Sequence, residues 1–147
     1  MRFMILMIPK AYQGEEGKKP TADLIPSAEE VARMTKFNEE LAKAGALISL
    51  DGLHPPITGA RVTFEGGNPK VTDGPFAGSR DVLGGFWMIW TRSREEAIEW
   101  AKRVPAHNGD VIEVRQVFET TDFPEEVQKA AESPTVNARI ERQKRSA

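Results

Sequence analysis

Hydrophobic residues change their spacing several times along this chain, and each change marks an element. Residues 2–8 (Arg-Phe-Met-Ile-Leu-Met-Ile) are apolar at nearly every position, which predicts a strand buried on both faces. Residues 85–91 (Gly-Phe-Trp-Met-Ile-Trp-Thr) repeat that pattern. Between them Met34, Phe37, Leu41 and Ala44 recur at three- and four-residue spacing, the apolar stripe of one helix. Ser27 and Glu30 make a capping box at its start, and Gly45 stands where a helix end wants a left-handed residue. Ser93 and Glu96 repeat the box and open a second helix through about Val104, with Ala97, Ile98 and Ala101 facing inward. Residues 46–50 predict a strand, and residues 60–65 and 69–72 a hairpin across Gly66-Gly67-Asn68. Residues 110–118 predict a last strand, with Ile112, Val114 and Phe118 on one face and Glu113 and Arg115 on the other. Residues 10–23, rich in Gly, Glu and Lys, read as a polar loop.

The order is β-α-β, an inserted hairpin, then β-α-β. This is an α+β chain with a ferredoxin-like split βαβ pattern. Both helices then cover one face of an antiparallel sheet, while the central strands are apolar on both faces. The same face of a second copy is the simplest cover for the other side, so a homodimer with face-to-face sheets is expected. This domain spans residues 1–118. In residues 119–147, Asp122-Phe123-Pro124-Glu125-Glu126 caps a short helix to about Glu132. After Pro134 no apolar face is recognisable, so the basic end is either frayed or an arm docking on the dimer partner.

Composition narrows the function classes. The 147 residues are 39% hydrophobic and 29% charged, enough for one cored domain or for one domain plus a tail. The absence of cysteine excludes a disulfide framework, a thiolate metal site and a cysteine nucleophile, and suits a reducing cytoplasm. The apolar run at residues 3–8 ends at Pro9 and is too short for a signal core or a membrane span. Net charge is −2, so nothing draws the whole chain to nucleic acid or anionic lipid. Residues 134–147 sum to +3 and leave −5 on the body, yet no aromatic interleaving in that tail supports nucleic-acid binding. Two histidines 53 positions apart offer no ligand-spaced metal motif, and there is no phosphate loop or dinucleotide fingerprint. No cofactor and no metal are expected.

Candidate chemistry gathers at Val71-Thr72-Asp73-Gly74-Pro75-Phe76-Ala77-Gly78. Gly74 tolerates φ > 0 and Pro75 fixes φ, so Asp73 sits on a rigid elbow beside an apolar ring, Phe76. His54 precedes Pro55-Pro56, which stiffen its backbone, and an imidazole titrates near ~6.5, suited to proton transfer. An Asp73 hydrogen bond to one ring nitrogen would leave the other a competent base. The alternative reading makes His54 a surface loop residue and Asp73 the cap of its own turn. Arg80 offers a bidentate fork to an anionic substrate, against a surface pairing with Asp81 or Glu65. Tyr12, the only tyrosine, lines a pocket or anchors a loop, and Phe76 walls a pocket or is buried in the core. His107, in a helix-to-strand loop, reads as exposed turn chemistry, and Trp87, Trp90 and Trp100 as core or interface packing.

The hallmark at residues 71–76 resembles the DGPF branch of the YCII-related (YciI-like) family. So do Phe37-Asn38-Glu39-Glu40-Leu41, Gly52-Leu53-His54-Pro55-Pro56, Leu83-Gly84-Gly85-Phe86 and Ile112-Glu113-Val114-Arg115, in the family's order. The resemblance covers roughly residues 1–118 and implies a dimeric α+β barrel. It also implies a His–Asp pair in a cleft, mapping to His54 and Asp73, and one relative that acts as a dehydrochlorinase on an aromatic ring. The expected function is therefore cofactor-free acid/base chemistry of lyase or isomerase type on a small molecule bound by Tyr12, Gly74, Pro75, Phe76 and Arg80. The branch often neighbours extracytoplasmic-function sigma factors, which implies the alternative: a non-catalytic ligand sensor or accessory protein working with such a factor. After the hallmark, Ala77-Gly78-Ser79-Arg80-Asp81 departs from the family's Ala-Glu-Thr-Lys-Glu, so no role carries over to Gly78.

Overall fold

The computed structural model describes residues 1–76 and 78–146, with side chains described through residue 142. These fall into two compact units, Met1–Val117 and the residues from Phe118 onward. In the first, six strands and two helices alternate as expected: β1 (Arg2–Ile8), α1 (Ala28–Lys43), β2 (Leu47–Gly52), β3 (Ala60–Glu65), β4 (Asn68–Asp73), β5 (Gly85–Trp90), α2 (Arg94–Ala101) and β6 (Val111–Gln116). The four-stranded sheet runs β2-β5-β1-β6, every pairing antiparallel, with β3-β4 a separate hairpin. Setting the hairpin aside, this is the ferredoxin-like strand order, and the chain is α+β.

Register explains why the central strands are apolar throughout. Phe3 and Ile5 of β1 stand opposite Ile89 and Trp87 of β5, and this face packs on Phe37 and Leu41 of α1 and Ala97 of α2. Phe37 meets Trp87 edge-on at 5.6 Å between ring centroids. The alternate residues form the opposite face: Met4, Leu6 and Ile8 beside Phe86, Met88 and Trp90. Edge-strand residues Ser49, Asp51, Glu113 and Arg115 flank that stripe with polar groups.

The helix ends follow their caps. Ser27 and Glu30 form the full capping box on α1, and Gly45 has φ 69° beyond its end. On α2 the box is only half made. Ser93 accepts from the Glu96 N–H, but Glu96 reaches back to the Arg92 N–H. This helix ends at Ala101, short of Val104, and Val104 is buried beyond it. Ala44 caps α1 and is exposed, so Ala46 takes the expected core position. Phe118 lies past the end of β6 and is exposed, because the strand stops at Gln116. The β3–β4 turn is Gly66-Gly67, φ 58° and 83°, the left-handed pair that a two-residue hairpin loop requires.

Residues 10–24 differ from the expected loop. They fold as three 3₁₀ turns, Lys10–Tyr12, Glu16–Lys18 and Thr21–Leu24. The second unit holds α3 (Glu125–Ala131), entered through Pro124, and α4 (Pro134–Ser146), a helix where the sequence had shown no apolar face. Among the described residues no helix is long and apolar enough to cross a membrane.

Candidate functional site

Asp73 is the last residue of β4, and Gly74 turns the chain away. The Gly74 N–H donates to the Gly59 carbonyl at 2.8 Å, and a Cβ at Gly74 would lie 1.7 Å from the Pro56 carbonyl oxygen. Only glycine permits that approach. The Gly74–Pro75 peptide is cis. Phe76 is half-buried rather than a core residue, and the Arg61 guanidinium lies over its ring at 4.1 Å. Arg61 is held there by donating to Ser79 Oγ at 2.6 Å. Arg80 is exposed and, among the described residues, pairs with neither Asp81 nor Glu65.

His54 lies across this contact, on the segment between β2 and the 3₁₀ turn Pro56–Thr58. Pro55 and Pro56 are buried, whereas the His54 and Asp73 side chains are both exposed. The fold brings their two backbone segments together. It does not join the side chains: among the described residues, no hydrogen bond or ion pair links His54 to Asp73.

Tyr12 fastens the other end of the His54 segment. Its hydroxyl donates to the Leu53 carbonyl at 3.0 Å, and burial pushes the phenol above its ordinary pKa of 10.0. Two glycines make room for it. A Cβ at Gly17 would sit 2.3 Å from the Tyr12 carbonyl oxygen, and one at Gly84 would sit 2.6 Å from the Pro9 ring and 3.3 Å from the Tyr12 ring. Gln13 clamps the same turn: its Nε2 donates to the Pro9 and Val82 carbonyls at 2.8 and 2.9 Å, and its Oε1 accepts the Val82 N–H at 2.9 Å. These contacts order the polar segment that sequence had shown only as a loop.

Tyr12 also lines a cavity of about 510 Å³, bounded by Met7, Leu24, Val31, Met34 and Asn38. Glu30, His107 and Asp110 close one side of it. His107 is exposed and in a turn as expected, but its Nε2 lies 2.8 Å from Glu30 Oε1 and its Nδ1 3.5 Å from Asp110 Oδ2. The Asp110 carboxylate is only 5% exposed; it accepts the Lys10 N–H at 2.8 Å and the His107 N–H at 2.7 Å. Glu30 accepts the Ser27 N–H at 2.6 Å. Hydrogen bonding within that cap, then His107, holds the Glu30 carboxyl below its usual range. Sequence reasoning read Glu30 only as a cap and did not single out Asp110 or Asn38. The one available signal was Asp110 three residues after His107, a turn-closing spacing. Among the described residues no three carboxylate or imidazole groups gather to hold a metal ion.

Comparison with known proteins places most of this chain in one family. A protein of Rhizobium meliloti (strain 1021), itself described as uncharacterized, is 27% identical over 95 residues, covering 65% of this chain and 68% of its own length. The sequence pattern of the YCII-related domain matches residues 1–121, the βαβ halves, the hairpin and the elbow together. The chain belongs to the YCII-related domain family.

Proposed function

We propose that this protein acts on a small molecule by cofactor-free acid/base chemistry, an elimination or isomerisation in which His54 moves the proton and Asp73 orients the imidazole. The observation that carries the reading is the lock at Gly74, which fixes the Asp73 elbow against the segment bearing His54 while both side chains stay in solvent. Among the described residues neither group is consumed by another side chain, which leaves both open to a substrate. Gly74 and Pro75 supply backbone, Phe76 an apolar wall and Arg80 a fork for an anionic group, while Tyr12 holds the histidine segment in place. NMR titration of His54 in the wild type and in Asp73→Asn tests the pair. A changed midpoint or tautomer in the variant supports it; superimposable curves remove Asp73 from the chemistry.

The same reading includes a cytoplasmic homodimer, with residues 1–118 as its core domain and the C-terminal segment docking on the partner. Its support is the stripe Met4, Phe86, Met88 and Trp90 on the sheet face opposite α1 and α2, where Trp90 is 51% exposed. A monomer mass in sedimentation at micromolar concentration would overturn the dimer.

One observation favours a second reading, an accessory protein bound to an extracytoplasmic-function sigma factor. On α4, Val136 and Ile140 are exposed one turn apart with the basic Arg139 beside them, a small apolar contact point on a basic helix. Loss of sigma-factor capture on deleting residues 134–147 supports this reading, and absence of any capture by the full chain ends it.

A further inference from the structure

We infer that the cavity behind Tyr12 is a binding site for an uncharged, largely apolar small molecule that presents a carbonyl oxygen to the Asn38 amide. The inference stands apart from the His54–Asp73 chemistry, since it requires binding and no reaction.

Size and wall chemistry come first. A volume of about 510 Å³ lies in the range of small-molecule sites, and Met7, Leu24, Val31 and Met34 give it an apolar lining. Its ring wall is built to stay in place, because Gly84 packs against the Tyr12 ring, Gly17 against its backbone carbonyl, and its hydroxyl is committed to the Leu53 carbonyl.

Asn38 then sets the polar requirement. The Trp87 indole Nε1–H can only donate, so at 2.7 Å it must face the Asn38 carbonyl oxygen. That fixes the amide's orientation and leaves its NH₂, with two donors, open to water or to a ligand. No side chain or backbone group among the described residues takes them, and Asn38 lines the cavity. A ligand oxygen is the matching partner.

The charged groups at the cavity argue against an ionic ligand. Glu30 is committed to the Ser27 N–H and to His107, and Asp110 to the N–H groups of Lys10 and His107. Arg33 stands 4.0 Å from Glu29, and Asp23 is exposed to water at the rim. An anion entering here would face a lining richer in carboxylates than in cations. A cation would find only Asp23 unpaired among the described residues, screened by water at the rim, whereas a neutral carbonyl compound loses little.

The test is an NMR titration of the full chain with 4-phenyl-2-butanone, set beside its charged counterparts 3-phenylpropionate and 3-phenylpropylamine. The ketone is expected to shift the Asn38 side-chain NH₂ and Met34 methyl signals and to bind at least tenfold tighter than either ion. Asn38→Asp keeps an acceptor for the Trp87 indole but removes the NH₂, and should weaken the ketone at least tenfold while the Trp87 indole N–H stays hydrogen-bonded and protected from exchange. No shift at the ketone's solubility limit, equal binding of a charged analogue, or undiminished binding by Asn38→Asp each overturns the proposal. Should that variant lose the Trp87 signal, intermolecular NOEs in the wild type decide. Contacts from the ketone methyl to Asn38 and Met34 support the site, and their absence overturns it.

Discussion

His54 follows β2 and precedes two buried prolines; His107 follows Pro105 and opens the turn into β6. Both side chains are exposed, and each segment is fixed by its backbone. The difference lies in what reaches the ring. Glu30 and Asp110 meet the His107 imidazole, tying the start of α1 to the turn before β6. Around His54 the anchoring is carried by neighbours, Tyr12 on Leu53 and Gly74 against Pro56, and among the described residues nothing bonds to the imidazole itself. A histidine whose ring closes a tertiary contact has spent its hydrogen-bonding capacity on structure. One whose backbone is held by others keeps that capacity for a ligand. Exposure alone does not distinguish the two.

Substitutions that attack the anchors separate these roles most sharply. Gly74→Ala places a methyl within 1.7 Å of the Pro56 carbonyl oxygen, so elbow and histidine segment must part. Chemical denaturation should register a loss of about 3 kcal/mol, and the His54 amide signal should move with it. Next, Asp110→Ala strips the acceptor from the Lys10 and His107 N–H groups at a nearly buried position. A loss of about 2 kcal/mol is expected, with His107 shifted and His54 unaffected; movement of both would break the contrast.

Glu30 gives a smaller, pH-dependent effect. Its folded carboxyl titrates below the ordinary 4.5, so its stabilising contribution is complete above that value and is lost as pH falls through the lower folded one. Acid unfolding of Glu30→Gln should therefore be less steep than that of the wild type below about pH 4.5. Smallest of all, His54→Ala should change stability by no more than about 0.5 kcal/mol. A larger loss would mean that the His54 ring carries structure after all.

Tyr12 sharpens the comparison from the side of the cavity. It is the only tyrosine, so an ultraviolet titration reads it alone. Burial raises its pKa, so the stability gained by keeping the phenol neutral is full below 10.0 and fades as pH rises through the higher folded value. Tyr12→Phe keeps the ring and releases Leu53; the His54 segment should then exchange its amides faster.

The fold was largely written in local pattern. Period-two and period-3.6 spacing, the Ser27–Glu30 box and the Gly66-Gly67 turn each act over a few residues, and each was recovered in the folded chain. The same patterns placed the elbow, because Asp-Gly-Pro chemistry is local. They misjudged residues 10–24, whose order comes from Gln13 reaching Val82 and from glycines packing on Tyr12. They also missed the helix of α4, whose sequence has no strong apolar stripe.

Sequence alone, then, determined the six strands, the helices α1 and α2, which faces of β1 and β5 are apolar, and the family through residues 37–41, 52–56 and 71–76. Only the tertiary structure decided that Tyr12 walls a cavity, that His107 meets Glu30, that Asn38 turns its oxygen to Trp87, and that His54 and Asp73 share a backbone contact without touching. The reason is physical. Propensity, capping and turn chemistry are settled among near neighbours, whereas the distance and orientation of two side chains from separate elements depend on how every intervening element packs.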